Sequence, residues 1–254
     1  HVLQTQQQAV VTGNETHESL LSQRWNDLTV SKDRKERFTS DWELIGFQGK
    51  DPQTDFRGSG LKGLQMLSEF ASSQTDDARS IIVISQGNDT QQIGFFSLAL
   101  TGINATGYLL DQLGVYAVKS QQSSTSSVQT LNTFANINSL LVEYLLTVVG
   151  QYEDELAQLY SWILNHLTLK WVENKNNDPM QFGLFMKDFL AVDFQMMMKN
   201  RLEKIKAQKV IYQLQQDANE RKTSEKLITL AKQMANKPDA IRIVESICRS
   251  QKYE

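Results

Sequence analysis

Residues 42–70 read WELIGFQGKDPQTDFRGSGLKGLQMLSEF, a glycine-rich stretch that runs straight into an apolar helix with one arginine, Arg57, at the join. Gly46, Gly49, Gly58, Gly60 and Gly63 are five of the chain's 13 glycines, and such a concentration permits positive φ and close backbone approach. Pro52 fixes its own φ and biases Asp51 away from the α conformation, while Thr54 and Asp55 carry short side-chain oxygens suited to an Asx turn or a helix N-cap. A helix is therefore expected to begin a few residues after Pro52. Leu61, Leu64, Leu67 or Ser68 and Phe70 recur at near-helical spacing, so that helix turns one apolar face to a core. Arg57 then stands at or just before its first turn, where the helix dipole favours anions, so helix stability does not account for a cation there.

Outward from this stretch the periodicity stays helical, with three prolines and no alternation bounded by hairpin signals, and the predicted fold is all-α. A first helix is expected from Glu15 to Asp27, capped by Asn14, with Leu20, Leu21, Trp25 and Leu28 inward. The basic run Lys32, Arg34, Lys35, Arg37 leads into the glycine-rich turn. Ile81–Ile84 would suit a strand, yet Asp76, Asp77, Ala78 and Arg79 before it read as a helix start, and helix is the expectation. Ile93–Leu110 carries no charge; its polar and glycine content reads as two buried helices broken near Gly102 and Asn104, not a membrane span.

Residues 119–130, KSQQSSTSSVQT, have no face to bury and are expected to form a mobile loop. From Phe134 to Glu173 one or two long helices are predicted, with Gly150 as the break, followed by a turn at Asn174–Pro179 and renewed helix from Met180 to Gln215. Met196, Met197 and Met198 read as adaptable core filler. From Asn200 the chain becomes more charged. The expected organisation is an N-terminal tail over 1–14, a helical domain over 15–199, and a helical extension over 200–254 docked on the domain or on a partner.

A composition of 40% hydrophobic residues suffices for a packed core. Cys248 is the only cysteine, so no intrachain disulfide exists, and His1, His17 and His166 are too scattered for a zinc site; a reducing, cytoplasmic compartment is the expectation. The net charge of −3 provides no overall attraction to nucleic acid, and no nucleic-acid partner is expected. There is no GxxxxGK[ST] run, GxSxG elbow, HExxH helix or paired CxxC, which removes P-loop nucleotide hydrolysis and the common hydrolase and metal readings; no cofactor or metal is expected. What remains is an arginine offered on a constrained turn.

Trp42, Ile45 to Gly49, Asp51, Pro52, Thr54 to Gly58, Gly60, Leu61, Gly63 and Leu64 together resemble the signature of the ELMO domain, the engulfment-and-cell-motility module. Weaker echoes follow at Gly102, Ile103, Asn104, Thr106, Leu109 and Leu110, then at Leu159, Tyr160, Trp171 and Met180 to Phe182, so the likeness covers residues 18–195. Family members commonly carry an aromatic, proline and alanine before the GIN run; here Phe96–Leu100 contains no proline.

The resemblance implies one of two activities. One branch of the family activates GTP hydrolysis on small GTPases of the Arf and Arf-like families. The other consists of scaffolds that work with guanine-nucleotide exchange factors or cytoskeletal regulators, typically without the arginine. This sequence keeps it. Carried over, Arg57 would be the arginine finger, the partner a GTP-bound Arf or Arf-like GTPase, and any membrane-surface contact would come through that GTPase. Gln48, Asp51, Thr54, Asp55 and Gly58 would support the turn or touch the partner. From residue chemistry alone, Trp42, Phe47 and Phe56 read as core anchors, because aromatic area buried beneath a glycine-rich turn stiffens it. Two plainer readings stand beside these. Arg57 would be a permanent salt-bridge staple to Asp51 or Asp55, and the Gln48 side chain would bond backbone groups of its own loop.

Overall fold

In the computed structural model, residues 9–29, 36–87, 94–113, 138–148, 152–174 and 178–221 are described. Their regular structure is helical, with no strand among them. The fold is all-α. The chain divides into two compact units, one formed by residues 1–139 and 150–190 and the other by 140–149 and 191–254.

The first unit is organised around one helix. Helix α1 spans Glu15–Leu28, followed by 3-10 turns at Ser40–Ile45 and Pro52–Arg57, then α2 at Gly60–Ser73, α3 at Thr75–Ser85 and α4 at Leu98–Gln112. Leu61, Leu64, Leu67, Ser68 and Phe70 of α2 are all buried, as their spacing demands, and α2 packs against α1, α3, α4 and the second 3-10 turn. Asn14 caps α1: its Oδ1 accepts from the N–H groups of Thr16 and His17 at 3.1 and 3.2 Å. The residues ahead of that cap are held as well. Val10 is buried, the Val11 N–H donates to His17 Nδ1, and the Thr12 N–H donates to Gln53 Oε1 in the second 3-10 turn.

Helix α5 spans Ser139–Thr147, and α6 spans Tyr152–Glu173; Gly150, the expected break, lies between them and outside the described residues. Helix α6 belongs to the first unit and packs on α2, α3 and α4, burying Leu156, Leu159, Tyr160, Ile163, Leu167 and Trp171. A short 3-10 turn at Pro179–Gln181 leads into α7 at Phe182–Phe189, where Phe182 meets the edge of Trp171 at 5.0 Å and stacks on Phe96 at 4.6 Å.

In the second unit α8, Gln195–Arg221, runs through residues 199 and 200, where the charge pattern places the start of the extension. Within that unit Lys206 lies 2.6 Å from Glu143, and Lys209 Nζ donates to the Thr147 carbonyl. The polar stretch at 119–130 and the tail from 222 to 254 lie outside the described residues.

Two expectations are corrected. Helix α4 runs through Gly102 and Asn104 without a break. Gly102 serves close packing instead: a Cβ there would lie 2.3 Å from the Tyr160 hydroxyl and 2.7 Å from Leu67 Cδ1, so its absence lets α4 approach α6 and α2. That approach outweighs glycine's cost of about 1 kcal/mol in a helix. The three consecutive methionines do not all fill a core. Met198 is buried, Met197 is half-buried and Met196 is 58% exposed, because neighbours on a helix point about 100° apart.

Candidate functional site: the Arg57 turn

The turn is built on a row of rings. Trp25 on α1 meets Trp42 edge-on at 5.4 Å, Trp42 meets Phe47 at 5.7 Å, and Phe47 meets Phe56 at 5.7 Å. All four are buried, and edge-to-face pairs of this kind add about 0.5–1.5 kcal/mol each beyond the area they bury. Phe56 immediately precedes Arg57, so the row stiffens the backbone up to that residue.

Gly46 lets the chain bend. Its φ is +86°, and a Cβ there would stand 3.1 Å from Ala99 N and from Leu98 atoms, so a side chain would be strained by the backbone and crowded by the start of α4. The Gly46 carbonyl is held by the start of α4, accepting from the Ala99 N–H at 3.1 Å and from the Ser97 hydroxyl. Of the five glycines in the stretch only Gly46 and Gly60 take positive φ.

The acidic residues of the turn are engaged. Asp51, not Thr54 or Asp55, caps the second 3-10 turn: its Oδ1 accepts from the Gln53 N–H at 3.1 Å. The same oxygen lies 3.1 Å from Arg37 Nη1, and Arg37 Nε lies 2.7 Å from Glu18. The Thr54 hydroxyl donates to the Asp51 carbonyl at 2.8 Å. Asp55 Oδ2 accepts the Gln48 N–H at 2.9 Å. Burial holds the Asp55 carboxyl above its ordinary range, against the opposing pull of the Gln48 N–H and the Thr54 hydroxyl, with smaller effects from Asp51 upward and Arg57 downward.

Arg57 itself is exposed and, among the described residues, makes no hydrogen bond or ion pair. The salt-bridge staple is not formed; Asp51 pairs with Arg37 instead. Gln48 contributes through its backbone N–H, and its exposed side chain bonds no backbone group of the loop. Gly58 is exposed beside Arg57. The first turn of α2 beyond them holds no acid, and its N-cap residue Ser59 makes no side-chain cap bond. Phe38 and Leu44, on the segment leading into the turn, are 54% and 47% exposed.

Two residues here were not singled out from sequence. In sequence Arg37 is one member of a basic run, with nothing to mark its partners. Arg24 on α1 is wholly buried, with Nη1 donating to the Leu67 carbonyl and Nη2 to the Ile45 carbonyl, each at 3.3 Å, and its guanidinium 5.0 Å from the centre of the Phe47 ring. Burial pulls its pKa down to about 10, offset in part by the Tyr160 phenol, and the group stays charged at neutral pH. Burial likewise pushes the Tyr160 phenol up, keeping it neutral. A signal was present: Leu21, Arg24 and Leu28 fall on one stripe of α1.

Among the described residues no helix is long and apolar enough to cross a membrane, and no group of three or more His, Cys, Asp or Glu is placed to hold a metal. Compared with known proteins, residues 1–186 match the ELMO/CED-12 family. The chain is 31% identical over 176 residues to ELMO domain-containing protein 2 of Bos taurus, covering 69% of this chain and 52% of that protein. For the Homo sapiens ELMO domain-containing protein 2 the identity is 30% over 176 residues, with the same coverage of 69% and 52%. ELMO domain-containing protein B of Dictyostelium discoideum is 38% identical over 98 residues, 39% of this chain and 33% of that protein. The chain thus spans about half the length of the ELMO domain-containing protein 2 relatives. No solved structure matches it.

Proposed function

The chain belongs to the ELMO/CED-12 family, and from that membership we propose that it activates GTP hydrolysis on a small GTPase of the Arf or Arf-like class, with Arg57 as an arginine finger supplied in trans. The observation that carries this reading is the state of Arg57: exposed, next to a buried aromatic row, with both nearby carboxylates engaged by other groups. A side chain offered to another protein's nucleotide pocket needs that combination of a fixed base and an unclaimed head.

The chemistry asked of it is electrostatic. Phosphoryl transfer spreads negative charge over the γ-phosphoryl oxygens and the leaving oxygen, and a guanidinium inserted from outside stabilises that charge where water is excluded. Such insertion accelerates hydrolysis on the order of 10³- to 10⁵-fold, about 4 to 7 kcal/mol of barrier. The attacking water, the Mg²⁺ and the phosphate cradle belong to the GTPase. Phe38 and Leu44 offer apolar area near the turn for contact with the GTPase surface.

The test is single-turnover hydrolysis on a panel of GTP-loaded Arf and Arf-like proteins, with wild type, Arg57→Ala and Arg57→Lys. Both variants are expected to lose stimulation while remaining folded. Lysine fails because it has no planar fork to span two phosphoryl oxygens. Full activity in either folded variant would remove Arg57 from the reaction. Binding to an exchange factor or cytoskeletal regulator, with no GTPase stimulated by wild type, would establish the adaptor reading instead.

A further inference from the structure

We propose that Arg24 is a positioning residue for the Arg57 turn, its guanidinium joining the segment that enters the turn to the helix that leaves it. The two carbonyls it bonds lie on either side of Arg57. Ile45 ends the first 3-10 turn just before the left-handed Gly46, and Leu67 lies inside α2, the helix that begins three residues after Arg57. The same guanidinium sits over Phe47, the middle of the aromatic row that reaches Phe56.

Stability alone is a weak reason for a cation at this position. The side chain is fully buried, no carboxylate among the described residues lies within ion-pair distance, and the facing titratable group, Tyr160 on α6, is neutral. Taking an unpaired guanidinium out of water is unfavourable, and an apolar side chain of similar length would fill the space without that cost. A planar fork does what neither an apolar chain nor a lysine does: it bonds two acceptors at once in a fixed relative orientation. Leu21, Trp25 and Leu28, buried on the same side of α1, provide the core packing that any helix in this place needs. What Arg24 adds is a tie between two backbone segments whose separation sets where Arg57 points.

Arg24→Lys and Arg24→Met test this in two independent measurements. In amide hydrogen exchange on the full chain, both folded variants are expected to exchange about tenfold faster over residues 46–59, with α6 protection unchanged. The second measurement rests on the GTPase-activating reading. On any GTPase that wild type stimulates, the rate at saturating variant should fall roughly ten- to a hundredfold, while the concentration for half-maximal effect moves by less than about threefold.

A residue that merely helps the unit fold would loosen α1, α2 and α6 together, or leave the exchange pattern as in wild type; either result overturns the proposal, as does an undiminished saturated rate. If wild type stimulates no GTPase, the functional reading fails and the exchange measurement alone decides the role of Arg24. Arg24→Lys keeps the aliphatic stem, so it is the variant to rely on if Arg24→Met does not fold.

Discussion

At the rim of the turn Arg57 is exposed and unpaired among the described residues, whereas in the core beneath it Arg24 is wholly buried and bonded to two carbonyls. Among the described residues neither arginine is paired with a carboxylate, for opposite reasons. Around Arg57 the carboxylates exist but are engaged: Asp51 meets Arg37, and Asp55 takes the Gln48 N–H. Around Arg24 no carboxylate is in reach among the described residues, and backbone carbonyls and a ring face substitute. The contrast separates two uses of one side chain. A guanidinium left free at the surface is available to another molecule, while one enclosed by carbonyls orients the backbone around it.

That separation makes stability and activity respond differently. Trp42→Ala removes the ring between Trp25 and Phe47 and should cost about 3–5 kcal/mol in urea unfolding, where Arg57→Ala should stay within about 0.5 kcal/mol. Comparable losses from the two would mean that Arg57 has a structural role after all. Gly46→Ala combines a positive φ with contacts at 3.1 Å, and a loss of about 1–3 kcal/mol is expected by thermal unfolding; a neutral result would show that the bend relaxes.

Arg37→Ala tests the availability of Arg57. It strips Asp51 of its cationic partner; on a GTPase that wild type stimulates, as proposed, the stimulation should fall about three- to tenfold, with Arg37→Ala/Asp51→Asn recovering most of the loss. No recovery would show that Arg37 acts on the turn in some way other than by occupying Asp51.

The smallest effect concerns pH. Burial raises the folded-state pKa of Asp55, so the folded chain holds that proton more tightly than the unfolded chain does. The resulting contribution favours folding below the unfolded carboxylate value and is lost as pH rises through the folded value. Asp55→Asn, whose amide oxygen still accepts the Gln48 N–H, should therefore flatten the decline of stability just above the ordinary carboxylate range. Denaturant midpoints across that range check this, and an unchanged slope would contradict it.

Much of this was legible in the sequence because it depends on local periodicity. The buried face of α2, the Asn14 cap and the burial of Trp42, Phe47 and Phe56 each follow from spacing and residue type. What escaped depends on contacts between segments distant in the chain. Arg24 sits on an apolar stripe, but a charged residue is ordinarily read as facing solvent, and its acceptors at Ile45 and Leu67 become neighbours only on folding. The Arg37–Asp51 pair and the Thr12–Gln53 bond are hidden for the same reason. Gly102 is ambiguous in sequence, because a glycine that breaks a helix and one that admits a neighbouring hydroxyl look alike without the neighbour.

Whether Arg57 stabilises charge appearing on another molecule's phosphoryl group is decided by affinity for a partner GTPase loaded with GDP and fluoroaluminate, a mimic of the transferring phosphoryl, against the same GTPase with GDP alone. Wild type should bind the mimic state more tightly by at least about a hundredfold, and Arg57→Ala should erase most of that preference. Equal preference in wild type and Arg57→Ala would take that role away from Arg57.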